Sequence, residues 1–187
     1  CRSTINFPEH IQPLFERPRL ETDENGLIVA DNTCIACHST TDSEGGVQVP
    51  AGQLELTAQP SLEDPDVLRS YWELFFNDNA LEIIEGVLVD IQVPVLDENG
   101  NPVFLVDEDG ELVLDPNGEP IPLTEPVRVT PTMRTNGARA SGNFLQRFDD
   151  ENNTHSLWLT PVERKLISEW LDVGGQYYNN PFAISQS

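Results

Sequence analysis

The first pattern along this chain is a set of apolar residues at helical spacing near its beginning. Within residues 2–16, Ile11, Leu14 and Phe15 share one face of a helix. We therefore predict a short amphipathic helix here. Residues 17–33 are rich in Pro, Asp and Asn, which predicts a loop.

Two later segments predict longer helices. Residues 61–76 carry an aromatic and apolar stripe at helical spacing. Residues 160–178 give the strongest signal, since Thr160 and Glu163 match a capping box and a pair of glycines ends the pattern. Residues 138–148 predict one or two further helical turns.

The pattern changes in residues 87–129, where short apolar runs alternate with the sequences DENG, DEDG and DPNG. Such spacing predicts short antiparallel strands joined by glycine-containing turns. The glycine is the fourth residue of each group, whereas a helix–loop–helix calcium loop needs it sixth, so turns explain these residues better than calcium does. We predict one mainly α domain over residues 1–187, with an antiparallel β-meander inserted at 87–129.

The charge of the chain excludes one class of partner. Asp and Glu number 32 against 10 Lys and Arg, a net charge of −22. So acidic a surface repels phosphate backbones, which argues against nucleic-acid binding and favours partners with a basic docking surface. No apolar run reaches the ~18 residues that span a bilayer.

Candidate chemistry is concentrated in residues 34–38, Cys-Ile-Ala-Cys-His. The spacing C-x-x-C-H suits covalent haem attachment, with thioethers at Cys34 and Cys37 and His38 as the proximal iron ligand. A thioredoxin-like redox pair would follow a βαβ pattern, which is not visible. A zinc site would need a second Cys/His pair, and a plain disulfide leaves His38 unexplained.

The first residue bears on location. A chain that starts with cysteine is typical of a processed bacterial lipoprotein, so we expect Cys1 to carry a lipid anchor. The alternative is an arbitrary cut at this position. With Arg2 following, the expected site is the outer membrane, and the chain touches a membrane only through that anchor. The remaining cysteine pair also favours an extracytoplasmic location, in the periplasm or at the cell surface.

The motif and the order of the predicted helices resemble the monohaem c-type cytochromes. The tail "HSLWLTPVERKLISEWLDVGGQYYNNPF" is similar to the end of bacterial cytochrome c domains. The resemblance covers residues 5–76 and 138–182 and leaves out the β-rich insertion. It implies a helical cytochrome c-like fold around one covalent haem c, in which the last helix packs on the first. It also implies electron transfer to redox partner proteins rather than enzyme activity.

The resemblance also bears on the distal iron ligand. In such cytochromes this ligand precedes the last helix by a few residues, which favours His155, five residues before Thr160. Met133 is the only methionine and is the alternative. His10 and an open sixth position are weaker choices. A His/His iron would have a lower reduction potential than a His/Met iron.

Several residues are candidates for the surroundings of the haem. Arg134, Arg139 and Arg147 are candidates to neutralise a haem carboxylate. We expect a dry crevice lined by apolar and aromatic side chains, namely Leu54, Leu56, Tyr71, Trp72, Phe75, Phe144, Leu145 and Trp158.

Three functions remain open from the sequence. Electron transfer leads, because two protein ligands would leave no iron position for a substrate. A five-coordinate haem held by His38 alone would instead suit an enzyme or a sensor of small ligands. In the third hypothesis, the 87–129 insertion docks the haem domain into a larger assembly, where the haem serves as a relay.

Overall fold

The computed structural model describes residues 4–149, 155–156 and 158–178. Cys1, on which the lipid-anchor prediction depends, lies outside the described residues. The chain divides into two compact units: Cys1–Asp78 with Thr130–Ser187, and Asn79–Val129. The second unit begins eight residues before the insertion predicted from the sequence.

The prediction of a mainly α fold is wrong. Helices account for 28% and short antiparallel strands for 22%, so the protein is a small mixed α/β protein. The helices are a π-helical turn Phe7–Ile11 running into α1 (Gln12–Glu16), then α2 (Cys34–Cys37), α3 (Arg69–Phe75), α4 (Gly142–Leu145) and α5 (Pro161–Asp172). Short 3-10 turns lie at Ala51–Gln53, Ala138–Ser141 and Gln146–Phe148.

The strands are short and pair in twos. They are β1 (Leu20–Thr22), β2 (Ile28–Asp31), β3 (Asp78–Asn79), β4 (Leu81–Ile84), β5 (Val87–Asp90), β6 (Gln92–Pro94), β7 (Thr124–Pro126) and β8 (Arg128–Val129). Antiparallel pairs form between β1 and β2, β4 and β5, and β6 and β7. The β1–β2 hairpin lies in the segment predicted as a loop, and its exposed strands lack the alternation that would have indicated it.

Helix α5 confirms its predicted start. The Thr160 hydroxyl accepts the Glu163 N–H at 3.2 Å, and the Glu163 carboxylate accepts the Thr160 N–H at 2.7 Å. The predicted helix over 61–76 is wrong in its first half, because α3 begins only at Arg69. The residues before it close a loop instead, in which the Ser61 N–H donates to the Val67 carbonyl at 2.9 Å.

The core of the first unit joins the start of the chain to α5. Phe7 lies 5.4 Å from Trp170 between ring centroids, and its N–H donates to the Tyr177 carbonyl at 2.9 Å. These side chains exclude water together with the other fully buried apolar residues, which are Ile11, Phe15, Leu74, Met133, Ile167 and Leu171. Helices near the two ends of the described chain therefore share one core.

The second unit is a branched set of hairpins rather than the predicted meander. At three points, three backbone segments meet in a ring of three hydrogen bonds, in which each N–H donates to the next carbonyl at 2.7–3.0 Å. The rings consist of Ala80, Ile91 and Val127; of Val95, Val103 and Leu123; and of Leu105, Val113 and Ile121. Two-stranded ribbons leave each ring, so no continuous sheet forms within this unit.

The acidic turns have the chemistry predicted for them. In each, one Asp carboxylate oxygen accepts the N–H groups two and four residues later, as in Asp97, which binds those of Asn99 and Asn101 at 2.8 Å. These hydrogen bonds lower the pKa of Asp97, and the one donated by the Asn101 N–H has the largest effect. Gly100 closes the turn at a φ of 83°, a conformation that favours glycine. Asp23, Asp42, Asp107 and Asp115 make the same pair of contacts.

No helix among the described residues is both long enough and apolar enough to cross a membrane.

Candidate functional site

The two cysteines of the C-x-x-C-H motif lie on one helical turn. Helix α2 spans Cys34–Cys37, and the His38 N–H donates to the Cys34 carbonyl at 2.9 Å. Cys34 is buried and Cys37 is exposed, and neither is in a disulfide. Burial raises the pKa of the Cys34 thiol, against the opposing charge of Arg19. Both cysteines are therefore present as thiols, and Cys34 is the less reactive because it is buried.

His38 bonds the segment that contains Leu54 and Leu56. Its Nδ1 lies 2.9 Å from the Leu54 carbonyl oxygen, and its own carbonyl accepts the Leu56 N–H at 2.8 Å. A carbonyl can only accept, so Nδ1 carries the proton and Nε2 keeps its lone pair. Burial lowers the pKa of His38, although the bond to Leu54 opposes this. The ring is therefore neutral and ready to ligate a metal at neutral pH.

A cavity opens between the motif and the loop before α5. Its volume is about 160 Å³, below the ~300–1,000 Å³ of typical ligand pockets, and it is partly open to solvent. Cys34, His38 and His155 line it together. The rest of the lining is mainly apolar, from Phe15, Ala51, Gly52, Leu54, Leu56, Thr132, Phe144, Arg147, Phe148, Trp158 and Leu159.

His155 lies opposite the motif histidine. The ring centroids of His38 and His155 are 6.0 Å apart, with 43° between the ring planes. Trp158 and Phe148 contact the His155 ring edge-on, at 4.9 and 5.9 Å between centroids. Burial lowers the pKa of His155, and the charges of His38 and Arg147 lower it further. A second neutral imidazole therefore lies within the same cavity.

The spacing of the two rings would allow His38 and His155 to hold one metal ion together. Each metal–nitrogen bond is about 2 Å long and each imidazole centre lies about 1 Å beyond its nitrogen, so two rings on opposite sides of one metal have centres about 6 Å apart. The observed separation between His38 and His155 is 6.0 Å. The same separation also lies within the ~4.5–7 Å between centroids of ordinary ring contacts, as in the stacked pair of Phe7 and Tyr177 at 6.0 Å.

One residue of the cavity lining, Thr132, carries an unpaired polar atom. The Thr132 hydroxyl is buried and has no hydrogen-bond partner among the described residues. Buried hydroxyls rarely remain unpaired, because desolvation without a partner costs roughly 1–3 kcal/mol. Arg147 lines the same cavity. A ligand with a large apolar body and an acidic edge would match this lining.

The structure separates the other candidate ligands from the cavity. Met133 is fully buried in the core and does not line the cavity, and its N–H donates to the Leu74 carbonyl at 2.9 Å. The His10 ring bonds the backbone of Asn6, within the turn that precedes α1. Neither side chain faces His38 across the cavity.

The predicted lining is reproduced in part. Leu54, Leu56, Phe144 and Trp158 line the cavity, whereas Leu145 does not. Tyr71 and Phe75 instead pack beside Trp170 in the core, and Trp72 stacks on Phe76 at 4.3 Å between centroids. Of the three candidate arginines, only Arg147 lines the cavity.

Arg19, which the sequence did not single out, contacts several separate parts of the site. Its guanidinium donates to the carbonyls of Trp158 and Leu14 at 2.6 and 2.8 Å, and lies 3.6 Å from the Cys34 sulfur. It also lies 3.8 Å from the Glu163 carboxylate. Nothing in the local sequence around Arg19 indicates partners 139 residues away.

Among the described residues, no group of three or more His, Cys, Asp or Glu side chains is arranged to hold a metal ion by itself. Comparisons with protein-family models, curated proteins and solved structures give no significant match.

Proposed function

We propose that this protein is an electron carrier that holds one c-type haem covalently, in an extracytoplasmic compartment. The observation that carries the proposal is the pair His38 and His155, which face each other at 6.0 Å across a mainly apolar cavity next to Cys34. When bound, haem iron supplies one-electron redox chemistry.

The cysteines would anchor the group. Each thiol, at Cys34 and Cys37, would add across a vinyl group, with the sulfur bonding one carbon and the hydrogen going to the other, so that no oxidant is consumed. The unbridged state of both thiols supports this role. Arg19, beside the Cys34 sulfur, keeps the motif turn attached to the loop that carries Trp158.

The histidines would fill both sides of the iron. The bond from His38 to Leu54 leaves Nε2 as its ligating atom. Contacts with Phe148 and Trp158 fix the His155 ring on the other side. With both positions occupied by protein, no site remains for a substrate, which favours electron transfer over the enzyme and sensor hypotheses. Met133, in the core, supplies packing.

The test compares two variants of the haem-loaded protein. We expect wild type to be six-coordinate and low-spin in both oxidation states, and slow to bind carbon monoxide. His155→Ala should give a high-spin ferrous form that binds carbon monoxide readily. The matched control Met133→Leu, which conserves volume in the core, should keep the wild-type spectrum. A spectrum that changes with Met133→Leu and not with His155→Ala would contradict the proposed ligand pair.

A further inference from the structure

The branched unit Asn79–Val129 exposes an apolar face. Across its ribbons, Leu96 pairs with Pro102, Phe104 with Pro122, Val106 with Leu112 and Leu114 with Pro120. Side chains directly opposite in a pair, or two apart along a strand, share a face. We call these eight residues the ribbon face.

The ribbon face is accessible. Leu112 is 51% exposed and Leu114 is 53% exposed, and Leu96, Phe104 and Val106 are also exposed. Within Asn79–Val129, Ala80 is the only buried apolar residue. Two-stranded ribbons are marginally stable without a packed face, and contiguous exposed apolar surface of this kind usually marks an interaction site.

The surroundings of the ribbon face are acidic. Asn79–Val129 contains twelve Asp and Glu residues and one basic residue, Arg128, a formal net charge of −11. The acids cluster in the turns that end the ribbons, at Asp97–Glu98, Asp107–Glu111 and Asp115–Glu119. The apolar surface is therefore bordered by one sign of charge.

We propose that the ribbon face binds a polypeptide whose apolar side chains alternate with lysine or arginine. Its apolar side chains would cover Leu112, Leu114 and their neighbours, and its cations would approach the acidic turns. A second copy of this chain is a poor occupant, because each copy brings the same −11 charge to the contact. Charge complementarity thus selects a basic partner over self-association.

The probe is a synthetic octapeptide that alternates Lys and Val, titrated by calorimetry into the purified 187-residue protein. A Lys–Ser octapeptide of the same charge serves as a control. We expect saturable binding of the Lys–Val peptide only. Leu112→Ser with Leu114→Ser should weaken it about tenfold or more, which is roughly what the loss of two apolar contacts produces.

Two further variants keep the test decisive. Leu62→Ser with Val162→Ser removes two exposed apolar side chains from the first unit and should leave binding unchanged. Glu98→Gln with Glu108→Gln leaves the turn-forming aspartates intact and should weaken binding while reducing its salt dependence. Equal binding of the Lys–Ser peptide, or no effect of the Leu112 and Leu114 substitutions, would overturn the proposal. So would dimerisation of the wild-type protein by light scattering that those substitutions abolish.

Discussion

His38 Nδ1 lies 2.9 Å from the Leu54 carbonyl oxygen. In the proposed haem site this contact would leave Nε2 to bind the iron, and it depends on a backbone atom 16 residues away. We predict that His38→Ala abolishes the low-spin spectrum, because the cavity then retains His155 alone. Added imidazole should restore it in part by occupying the vacated space.

His10→Ala is the matched control, since the His10 ring bonds only the backbone of Asn6 in the described contacts. It should leave the spectrum unchanged. Loss of the low-spin spectrum in His10→Ala, with His38→Ala unaffected, would contradict the assignment.

Arg19 should contribute more to stability than its neighbour Arg17. The Arg19 side chain is 12% exposed and its guanidinium joins three carbonyls and a sulfur, whereas Arg17 is 59% exposed and pairs with Glu163. Arg19→Gln leaves buried carbonyls unpaired and should lower the free energy of unfolding by about 2–3 kcal/mol.

For comparison, Arg17→Gln should lower the free energy of unfolding by less than about 1 kcal/mol, since exposed ion pairs contribute little to stability. Denaturant titration of both variants measures the difference. Equal losses would show that the contacts of Arg19 do not hold the site together.

The Thr132 hydroxyl should matter only when the cavity is filled. In the variant Cys34→Ala with Cys37→Ala, which cannot attach haem, Thr132→Val should be neutral or stabilising because it removes an unpaired buried hydroxyl. In the haem-loaded protein, the same substitution should cost about 1–2 kcal/mol if the hydroxyl donates to an acidic edge of the bound group.

Thr132→Ser keeps the hydroxyl and is the control for the lost methyl group. Thermal unfolding of the proteins with Thr, Val and Ser at position 132, each with and without haem, gives the comparison. A Thr132→Val effect that is the same with and without haem would remove Thr132 from the site.

Glu73 should make stability fall as pH rises. Burial raises its pKa to about 9, helped by the hydrogen bond with Asp78 and opposed by Arg69, which lies 3.0 Å away. Arg69 cannot offset the burial fully because it is shared with three other carboxylates, those of Glu55, Glu63 and Asp78.

Between the ordinary value of 4.5 and about 9, the folded protein therefore holds a proton that the unfolded chain loses. The free energy of unfolding should fall across this window by at most about 1.4 kcal/mol per pH unit. Glu73→Gln cannot ionise and should flatten the profile. Glu63 pairs with the same arginine but is 37% exposed, so Glu63→Gln should leave the pH profile unchanged. An unchanged slope in Glu73→Gln would contradict the raised pKa of Glu73.

Local chemistry accounts for what could be predicted from the sequence. The prediction for Cys34, Cys37 and His38, which remains a prediction, rests on spacing along the chain, and the bonds between Thr160 and Glu163 form within one helical turn. The turn at Asp97 is likewise closed by residues two and four positions away. Such features need no knowledge of the rest of the fold.

The features that could not be predicted depend on distant parts of the chain. Ser61 and the residues after it resemble a helix start, yet the backbone bond to Val67 closes a loop. Arg19 finds its partners through packing of the N-terminal segment against the loop of Trp158. The three-way rings, such as that of Ala80, depend on backbone bonds between segments far apart in sequence, to which the side-chain pattern gives no signal.

The central claim is a covalent haem, and the mass of the intact protein tests it most directly. The protein should be made in a host that matures c-type cytochromes, purified and denatured before measurement. We expect a mass above the 20.9 kDa of the polypeptide by one haem, and we expect this addition to be lost in Cys34→Ala with Cys37→Ala. A wild-type mass equal to that of the polypeptide alone would contradict it.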